Sequence, residues 1–225
     1  MEFIGFRVLN RRRAVPACAI ARAHVLPVAN ISDVMSRMFS GAACLRPFHS
    51  GAKMAGPAIT VRSRPGDNLM FHKALAMARE GDVIVIDAGG DTTNAIFGEL
   101  MLAQAIRKKL GGIVINGAIR DIADIASQDL PIFALGATHR GPYKTGPGEV
   151  NVTIALDGMP VEPGDLVVGD RDGVLSVPYD AVDGVLEAAE RKLAAETRQR
   201  AAILSGEYDG SWVDQTLREM GCSIE

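Results

Sequence analysis

Two short runs, Val83-Ile84-Val85-Ile86 and Ile113-Val114-Ile115, are apolar and β-branched at every position. A strand with one wet face alternates in polarity, whereas a strand with no polar position is covered on both faces, as in the interior of a layered α/β sheet. Between the runs, Leu100, Ala103, Ile106 and Leu110 fall near helical spacing from Gly98 to Lys109, with Gly111-Gly112 read as the stop. Strand, helix and strand in that order predict a βαβ unit with its two strands parallel.

In such a unit the chain leaves the first strand at its carboxyl end, runs back through the helix and climbs the second strand to the same edge. Two connections therefore converge: the loop from Asp87-Ala88-Gly89-Gly90 to Gly98-Glu99, and the loop Asn116-Gly117-Ala118-Ile119-Arg120-Asp121. Ligands of open α/β sheets bind at that edge, so Glu99, Arg120 and Asp121 are expected at one mouth. The first helical turn, Gly98 to Met101, offers backbone N–H groups and partial positive charge to a carboxylate. Arg120 adds a planar fork of donors for a carboxylate or a developing enolate oxygen. Asp121 and Glu99 are hard oxygen donors suited to Mg²⁺ or Mn²⁺, directly or through water. The competing reading is structural. An Arg-Asp pair after a strand is commonly a surface ion pair, and a first-turn Glu commonly complements the helix dipole.

Elsewhere the pattern is that of a mixed sheet flanked by helices. Asn30-Ile31-Ser32-Asp33 reads as a cap leading into a helix, Ala58-Ile59-Thr60-Val61 as a strand, and Asn68 to Arg79 as a helix closed by Gly81. Beyond Pro131, short strands are expected around Val152-Ile154, Leu166-Val168 and Val174-Val177. A long helix follows from Tyr179 to about Ile203, with Val182, Val185, Leu186 and Ala189 on one face, and a short packing helix after Ser211 carries Trp212. Three segments follow: an N-terminal extension over 1–29, a catalytic domain over 30–205 and a helical tail over 206–225.

With 225 residues, 48% of them hydrophobic, the chain can bury one substantial core. A formal charge of −3 argues against nucleic acid as partner; Arg11-Arg12-Arg13, the one basic cluster, reads as a solvated N-terminal segment. Cys18, Cys44 and Cys222 are odd in number and follow no ligand spacing, which suits a reducing cytoplasm. Arg22 and His24 interrupt the apolar stretch Ala14 to Ala29, against a signal peptide, and nothing approaches a membrane span.

Gly98-Glu99, Gly111-Gly112 and Gly117-Ala118-Ile119-Arg120-Asp121 together resemble the RraA-like family, which includes the class II 4-hydroxy-4-methyl-2-oxoglutarate / 4-carboxy-4-hydroxy-2-oxoadipate aldolases. The likeness runs from about Ser32 to the long C-terminal helix, through Pro65-Gly66-Asp67-Asn68 and Pro163-Gly164-Asp165-Leu166-Val167-Val168-Gly169-Asp170. It implies an αββα sandwich of the swivelling-domain type, assembled as a homotrimer or homohexamer with sites between subunits. It also implies residue roles. Asp121 would bind a divalent metal (Mg²⁺ or Mn²⁺) directly and Glu99 through water, and Arg120 would hold the 2-oxo or enolate oxygen. The backbone of Gly98, Glu99, Leu100 and Met101 would take the carboxylate. Asn68 and Lys144 would line the pocket, and Glu196 would be an acid supplied by a neighbouring subunit. The implied reaction is cleavage of a 4-hydroxy-2-oxo acid to pyruvate and a second oxo acid, with oxaloacetate decarboxylation through the same enolate. The 4-hydroxyl proton is expected to leave to an ordered water rather than to a side chain.

Two rivals are weighed. Some RraA-like proteins inhibit ribonuclease E without catalysis, and they can lack the metal-binding acid; Asp121 and Glu99 are present here. An S-adenosylmethionine-dependent methyltransferase is suggested by Val83 to Gly90, but the glycine spacing of a nucleotide turn is missing. Lys144, in the polar turn Gly141-Pro142-Tyr143-Lys144-Thr145-Gly146, is a poor Schiff-base candidate. His72 reads as a core histidine, and His24, His49 and His139 show no metal spacing. Met35, Met38, Met54, Met70, Met77 and Met101 read as core filler.

Overall fold

The β-branched runs form the centre of the molecule. In the computed structural model, which describes residues 3–39, 41 and 43–224, they become β4 (Val83–Asp87) and part of β6 (Gly112–Ile119). The chain order leading there is β1 (Phe6–Val8), α1 (Ala17–Val25), α2 (Val28–Val34), β2 (Arg46–Pro47), β3 (Met54–Ser63) and α3 (Leu69–Met77). Between β4 and β6 lie β5 (Ala95–Phe97) and α4 (Glu99–Arg107). After β6 come α5 (Ile122–Ala126), β7 (Ile132–Ala137), β8 (Gly148–Val150), β9 (Ile154–Leu156), β10 (Met159–Val161), β11 (Leu166–Asp170) and β12 (Gly173–Val177). A 3₁₀ turn at Tyr179–Ala181 leads into α6 (Val182–Ser205), and α7 (Trp212–Glu219) closes the chain.

The expected βαβ unit is present. β3, β4, β6 and β7 are parallel neighbours, with Ile84 beside Ile113 and Ile113 beside Ile132. β8 joins β3 antiparallel, β1 joins β8 in parallel, and β11 pairs antiparallel with both β12 and the first half of β3. Successive side chains of a strand point to opposite faces, and here the two sets separate cleanly. Ile84, Ile86, Ile113 and Ile115 pack with Phe71, Leu75, Leu102 and Ala105 of α3 and α4. Val83, Val85 and Val114 pack with Ile154, Leu156, Met159, Val161 and Val167 of the second strand layer. α1 lies against β3 and β11, and α2 against β11 and β12. Helix, strand, strand and helix layers give the αββα sandwich with a mixed sheet and a long C-terminal helix.

Several local expectations are corrected. Asn30 to Asp33 lie inside α2 rather than capping it; the helix starts after Pro27, and the Val28 N–H donates to Asp170 at 3.0 Å. α4 ends at Arg107 with Lys108 as its cap, and Lys109 takes a left-handed φ of 54°, before the two glycines are reached. Gly111 serves close packing instead: a Cβ there would lie 2.5 Å from the Gly81 carbonyl oxygen. Asn116 to Ile119 continue β6 rather than looping, because β5 adds as a further parallel partner. Arg11-Arg12-Arg13 is not simply solvated. Arg11 pairs with buried Asp82 at 2.7 Å, and Arg13 bonds Glu162 and Asp180 beneath the Tyr179 ring. Met54, Met70 and Met101 are buried as core, but Met38 is 72% exposed.

The chain divides into a unit through Ala189 and a unit from Glu190 onward. In the second, α7 forms as expected but buries none of its residues within this chain, and Trp212 donates its indole N–H to the Tyr208 hydroxyl at 2.7 Å. Glu196 lies in this unit, ion-paired with Lys192 at 2.9 Å one helical turn away. The three cysteines are free, and no helix among the described residues is long and apolar enough to cross a membrane.

Candidate active site

The carboxyl edge of β6 brings Arg120 and Asp121 against the start of α4, as the topology requires. Arg120 is fastened by its own backbone, its N–H donating to the Phe97 carbonyl at 3.0 Å. Asp121 then turns the chain through a left-handed conformation (φ 58°, ψ 45°), a region that costs a non-glycine residue free energy and is found preferentially at functional sites. The turn lets Asp121 Oδ2 accept the Glu99 N–H at 2.9 Å, with the Arg120 Nε 3.5 Å from the same oxygen. Among the described residues, Oδ1 has no hydrogen-bond partner.

Gly98 is required by this approach rather than by its own dihedrals, which are extended. A Cβ at Gly98 would lie 2.5 Å from Asp121 Oδ2 and 3.0 Å from Arg120 Nε. The helix start is more engaged than the sequence suggests. Glu99 N–H is held by Asp121 and Met101 N–H returns to the Gly98 carbonyl, which leaves Leu100 N–H as the donor without an acceptor among the described residues.

The cleft beside these groups holds about 90 Å³ and is lined by Asn68, His72, Ala95 to Gly98, Leu100, Met101, Arg120, Pro142 and Lys144. Lys144 reaches it because Asp67 ties two segments together. Buried Asp67 accepts the Leu69, Thr145 and Gly146 N–H groups at 2.8, 2.7 and 2.8 Å. Burial pushes this carboxyl up, but those bonds outweigh it and hold Asp67 below the ordinary carboxylate range. Asn68 donates its amide to the Ile96 carbonyl at 3.1 Å, while its Oδ1 is buried without a partner. Such an atom in a native fold calls for a ligand, a water or a strain account.

His72 is the residue whose expected place was wrong. It stands half-buried on the cleft wall, and burial, then the Lys144 charge, hold its imidazole below the ordinary range, so it is neutral at pH 7. A signal was present: His72 is four residues after Asn68 and therefore on the same helical face. Asp67 was also missed as the anchor of the Lys144 turn, although an Asp after Pro-Gly is a common turn former.

No group of three or more His, Cys, Asp or Glu side chains among the described residues forms a metal cage. The donor set is instead one carboxylate with an unengaged oxygen, Asp121, beside an exposed Glu99. That fits Mg²⁺ or a similar hard cation, which keeps several waters and takes one or two protein carboxylates plus ligand oxygens.

A family model described as Aldolase/RraA, of the RraA-like type, matches residues 28–176. The chain belongs to the RraA-like family. It is 42% identical over 183 residues to a Halalkalibacterium halodurans protein provisionally named 4-hydroxy-4-methyl-2-oxoglutarate aldolase, covering 81% of this chain and 87% of that one. Among solved structures, an uncharacterised protein of Pseudomonas syringae pv. tomato superposes on this RraA-like chain with a TM-score of 0.78 at 25% identity, covering 87% and 96% of the two chains. The RNA-processing inhibitor RraA from a Thermus species superposes with a TM-score of 0.63 at 30% identity, over 68% and 92%.

Proposed function

We propose that this RraA-like chain is a divalent-metal-dependent aldolase that cleaves 4-hydroxy-2-oxo di- or tricarboxylic acids to pyruvate and a second oxo acid, and that it decarboxylates oxaloacetate. The observation that carries the reading is Asp121, held in a left-handed turn with Oδ2 on the Glu99 N–H and Oδ1 unengaged, beside Arg120 at the mouth of a small cleft. Asp121, and Glu99 through water, would hold Mg²⁺ or Mn²⁺, which would supply Lewis-acid chemistry to the 1-carboxylate and 2-oxo group. The Leu100 N–H and the partial charge of the helix start orient the carboxylate. Arg120 stabilises the negative charge that grows on the 2-oxo oxygen as the C3–C4 bond breaks. Asn68 and Lys144 bind the oxo-acid head, and neutral His72 walls it. Glu196 is assigned to the site of a neighbouring subunit in a homotrimer or homohexamer, residues 30–205 form the catalytic domain, and the protein works in the cytoplasm.

The test is pyruvate release from a panel of 4-hydroxy-2-oxo acids and from oxaloacetate, with Mg²⁺ and with EDTA. Activity that requires the cation is expected with both substrate types; absence of both activities at saturating Mg²⁺ or Mn²⁺ overturns the proposal. The likeness to the Thermus inhibitor favours a second reading, a regulator that binds ribonuclease E. Capture of ribonuclease E by a chain inactive in both assays is the outcome that selects it.

A further inference from the structure

The amino edge of the parallel strands carries a groove that the candidate active site does not use. Two spaces meet there and share Asn10 and Asn151. The inner one, of about 200 Å³, is completed by Arg11, Ile59, Met77, Arg79 and Asp82. The outer one, of about 610 Å³, is completed by Leu9, Arg12, Arg13 and Pro163. The outer space lies within the roughly 300–1,000 Å³ of small-molecule clefts, and the inner one extends it. The walls are fixed. Leu9 donates its N–H to the Val150 carbonyl at 3.0 Å and accepts the Asn151 Nδ2 on its own carbonyl at 2.9 Å, while Arg11 is clamped on Asp82 at 2.7 Å. Between this edge and the carboxyl edge runs β4, five residues long, which is roughly 15 Å at about 3.3 Å per residue. A small molecule in the groove therefore does not touch Arg120 or Asp121.

The guanidinium groups of the lining divide into two kinds. Arg11 is paired with Asp82, and Arg13 with Glu162 and Asp180. The side chains of Arg12 and Arg79 have no partner among the described residues, and they stand in different spaces, Arg79 in the inner and Arg12 in the outer. Asp82, the one acid of the lining, has both oxygens occupied. An exposed arginine without a partner is ordinarily just solvated; the residue that sets this groove apart is Asn151. It is 6% exposed, on a left-handed backbone with φ 58°, a conformation that costs a non-glycine residue free energy. With Nδ2 committed to Leu9, its Oδ1 is buried without a donor. Exchanging the two branches of the amide would set oxygen against the Leu9 carbonyl oxygen, so the unmatched acceptor is not a matter of assignment. A buried acceptor in this state calls for a donor from outside the fold.

We propose that this groove is a second binding site, for a small hydroxydicarboxylate: one carboxylate on Arg79, the other on Arg12, and the hydroxyl donating to Asn151 Oδ1. Two guanidinium forks in separate spaces call for two separate carboxylates rather than one compact anion. The acceptor common to both spaces calls for a neutral donor on the chain that joins them, and Leu9, Ile59, Met77 and Pro163 give that chain an apolar wall. The site stands on the amino edge alone and does not depend on the aldolase reading.

The experiment is titration calorimetry of the full chain in EDTA, with L-malate, succinate and sulfate as probes. Malate is expected to bind saturably, one per chain, and with the same affinity in Arg120→Ala, which removes the carboxylate partner of the candidate active site. Succinate lacks the hydroxyl and should bind about tenfold more weakly, with sulfate weaker still. Arg79→Gln and Arg12→Gln should each weaken malate about tenfold, the scale of one lost charge-assisted bond, and leave the thermal melt unchanged because both side chains are exposed. Asn151→Gly accepts the left-handed backbone and should bring malate down to the affinity of succinate; if that variant does not fold, the preference of the wild type for malate over succinate decides. Three results overturn the site: no saturable malate binding, or binding that vanishes in Arg120→Ala; sulfate binding as tightly as malate, which is an adventitious ion only; and malate affinity unchanged in both arginine variants.

Discussion

Asp82 and Asp121 stand at opposite edges of the same parallel strands and are held in contrasting ways. Asp82, just ahead of β4, is buried with both oxygens matched: Oδ1 takes the Arg11 guanidinium at 2.7 Å, and Oδ2 takes the Arg79 N–H at 2.8 Å. The backbone around it is packed to contact, for a Cβ at Gly56 would meet the Gly81 carbonyl oxygen at 2.2 Å. At the other edge, Asp121 bonds through one oxygen only, on a backbone with φ 58°, and Asn68 Oδ1 is buried without a partner. A fully matched acid is a fastener. An acid held in a disfavoured conformation with an unengaged oxygen detracts from stability, and such exceptions to local consistency concentrate at functional sites.

The sharpest way to break this contrast is Asp121→Asn. Asparagine keeps an acceptor for the Glu99 N–H and tolerates the left-handed turn, so Tm should stay within about 2 °C in a thermal melt. Pyruvate release at saturating Mg²⁺ should nevertheless fall about 10³-fold if Asp121 holds the cation as proposed, since the charge and that oxygen donor would be gone. A variant that keeps a tenth of wild-type turnover would make Asp121 another fastener. Gly98→Ala probes the same edge without touching a charge. Alanine accepts the extended backbone, but its methyl enters the space of Asp121 Oδ2 and Arg120 Nε. Displacing both is expected to lower kcat about 10²-fold, with a near-wild-type circular dichroism melt; full activity would mean that the close approach is incidental.

The two edges also differ in how much of them was legible in the sequence. The carboxyl edge followed from two β-branched runs and the helix between them, because a βαβ unit has one handedness and one place for its connections. That topology alone puts Glu99, Arg120 and Asp121 at one mouth. The amino edge was unreadable. Arg11 looked like one of three solvated arginines because its partner, Asp82, is 71 residues away and nothing local marks the pair. The helix stop failed for a related reason: Gly111 and Gly112 carry the composition of a cap, but they are demanded by long-range contacts with the Gly81 carbonyl and Met54, and Lys109 takes the turn instead. His72 was misread although its spacing from Asn68 was available, because an apolar helical face resembles a core whether it meets another element or a cleft.

Asp82→Ala tests the fastener half of the contrast. Removing the carboxylate leaves the largely buried Arg11 guanidinium and the Arg79 N–H without their acceptor, and breaking a buried pair in this way costs about 3 kcal/mol. The expected result is a lower urea midpoint with an unchanged slope, while turnover per folded molecule stays within twofold of wild type. Loss of activity greater than loss of folded protein would couple the two edges and dissolve the distinction between them.

The smallest effect, and the one with a pH signature, belongs to Asp67, which joins the Lys144 turn to α3. Its folded-state pKa lies below the ordinary value, because three backbone N–H groups and the Thr145 hydroxyl outweigh the upward push of burial. A depressed carboxylate contributes stability that is present above the unfolded-state pKa, near 3.8, and is lost as pH falls through the lower folded-state value. Asp67→Asn should therefore cost about 2 kcal/mol at pH 7, the scale of hydrogen bonds to a charged acceptor. The cost should shrink on acidification and be visibly smaller at about pH 3, below the ordinary carboxylate pKa. Urea denaturation of both proteins at the two pH values measures the difference. A cost that is constant with pH would assign the anchor to the shape of the side chain, and one that grows on acidification would reverse the sign of the linkage. Because the same bonds place Lys144 beside Asn68, the variant should also raise KM for the oxo acid more than it lowers kcat, which separates a displaced binding residue from a damaged fold.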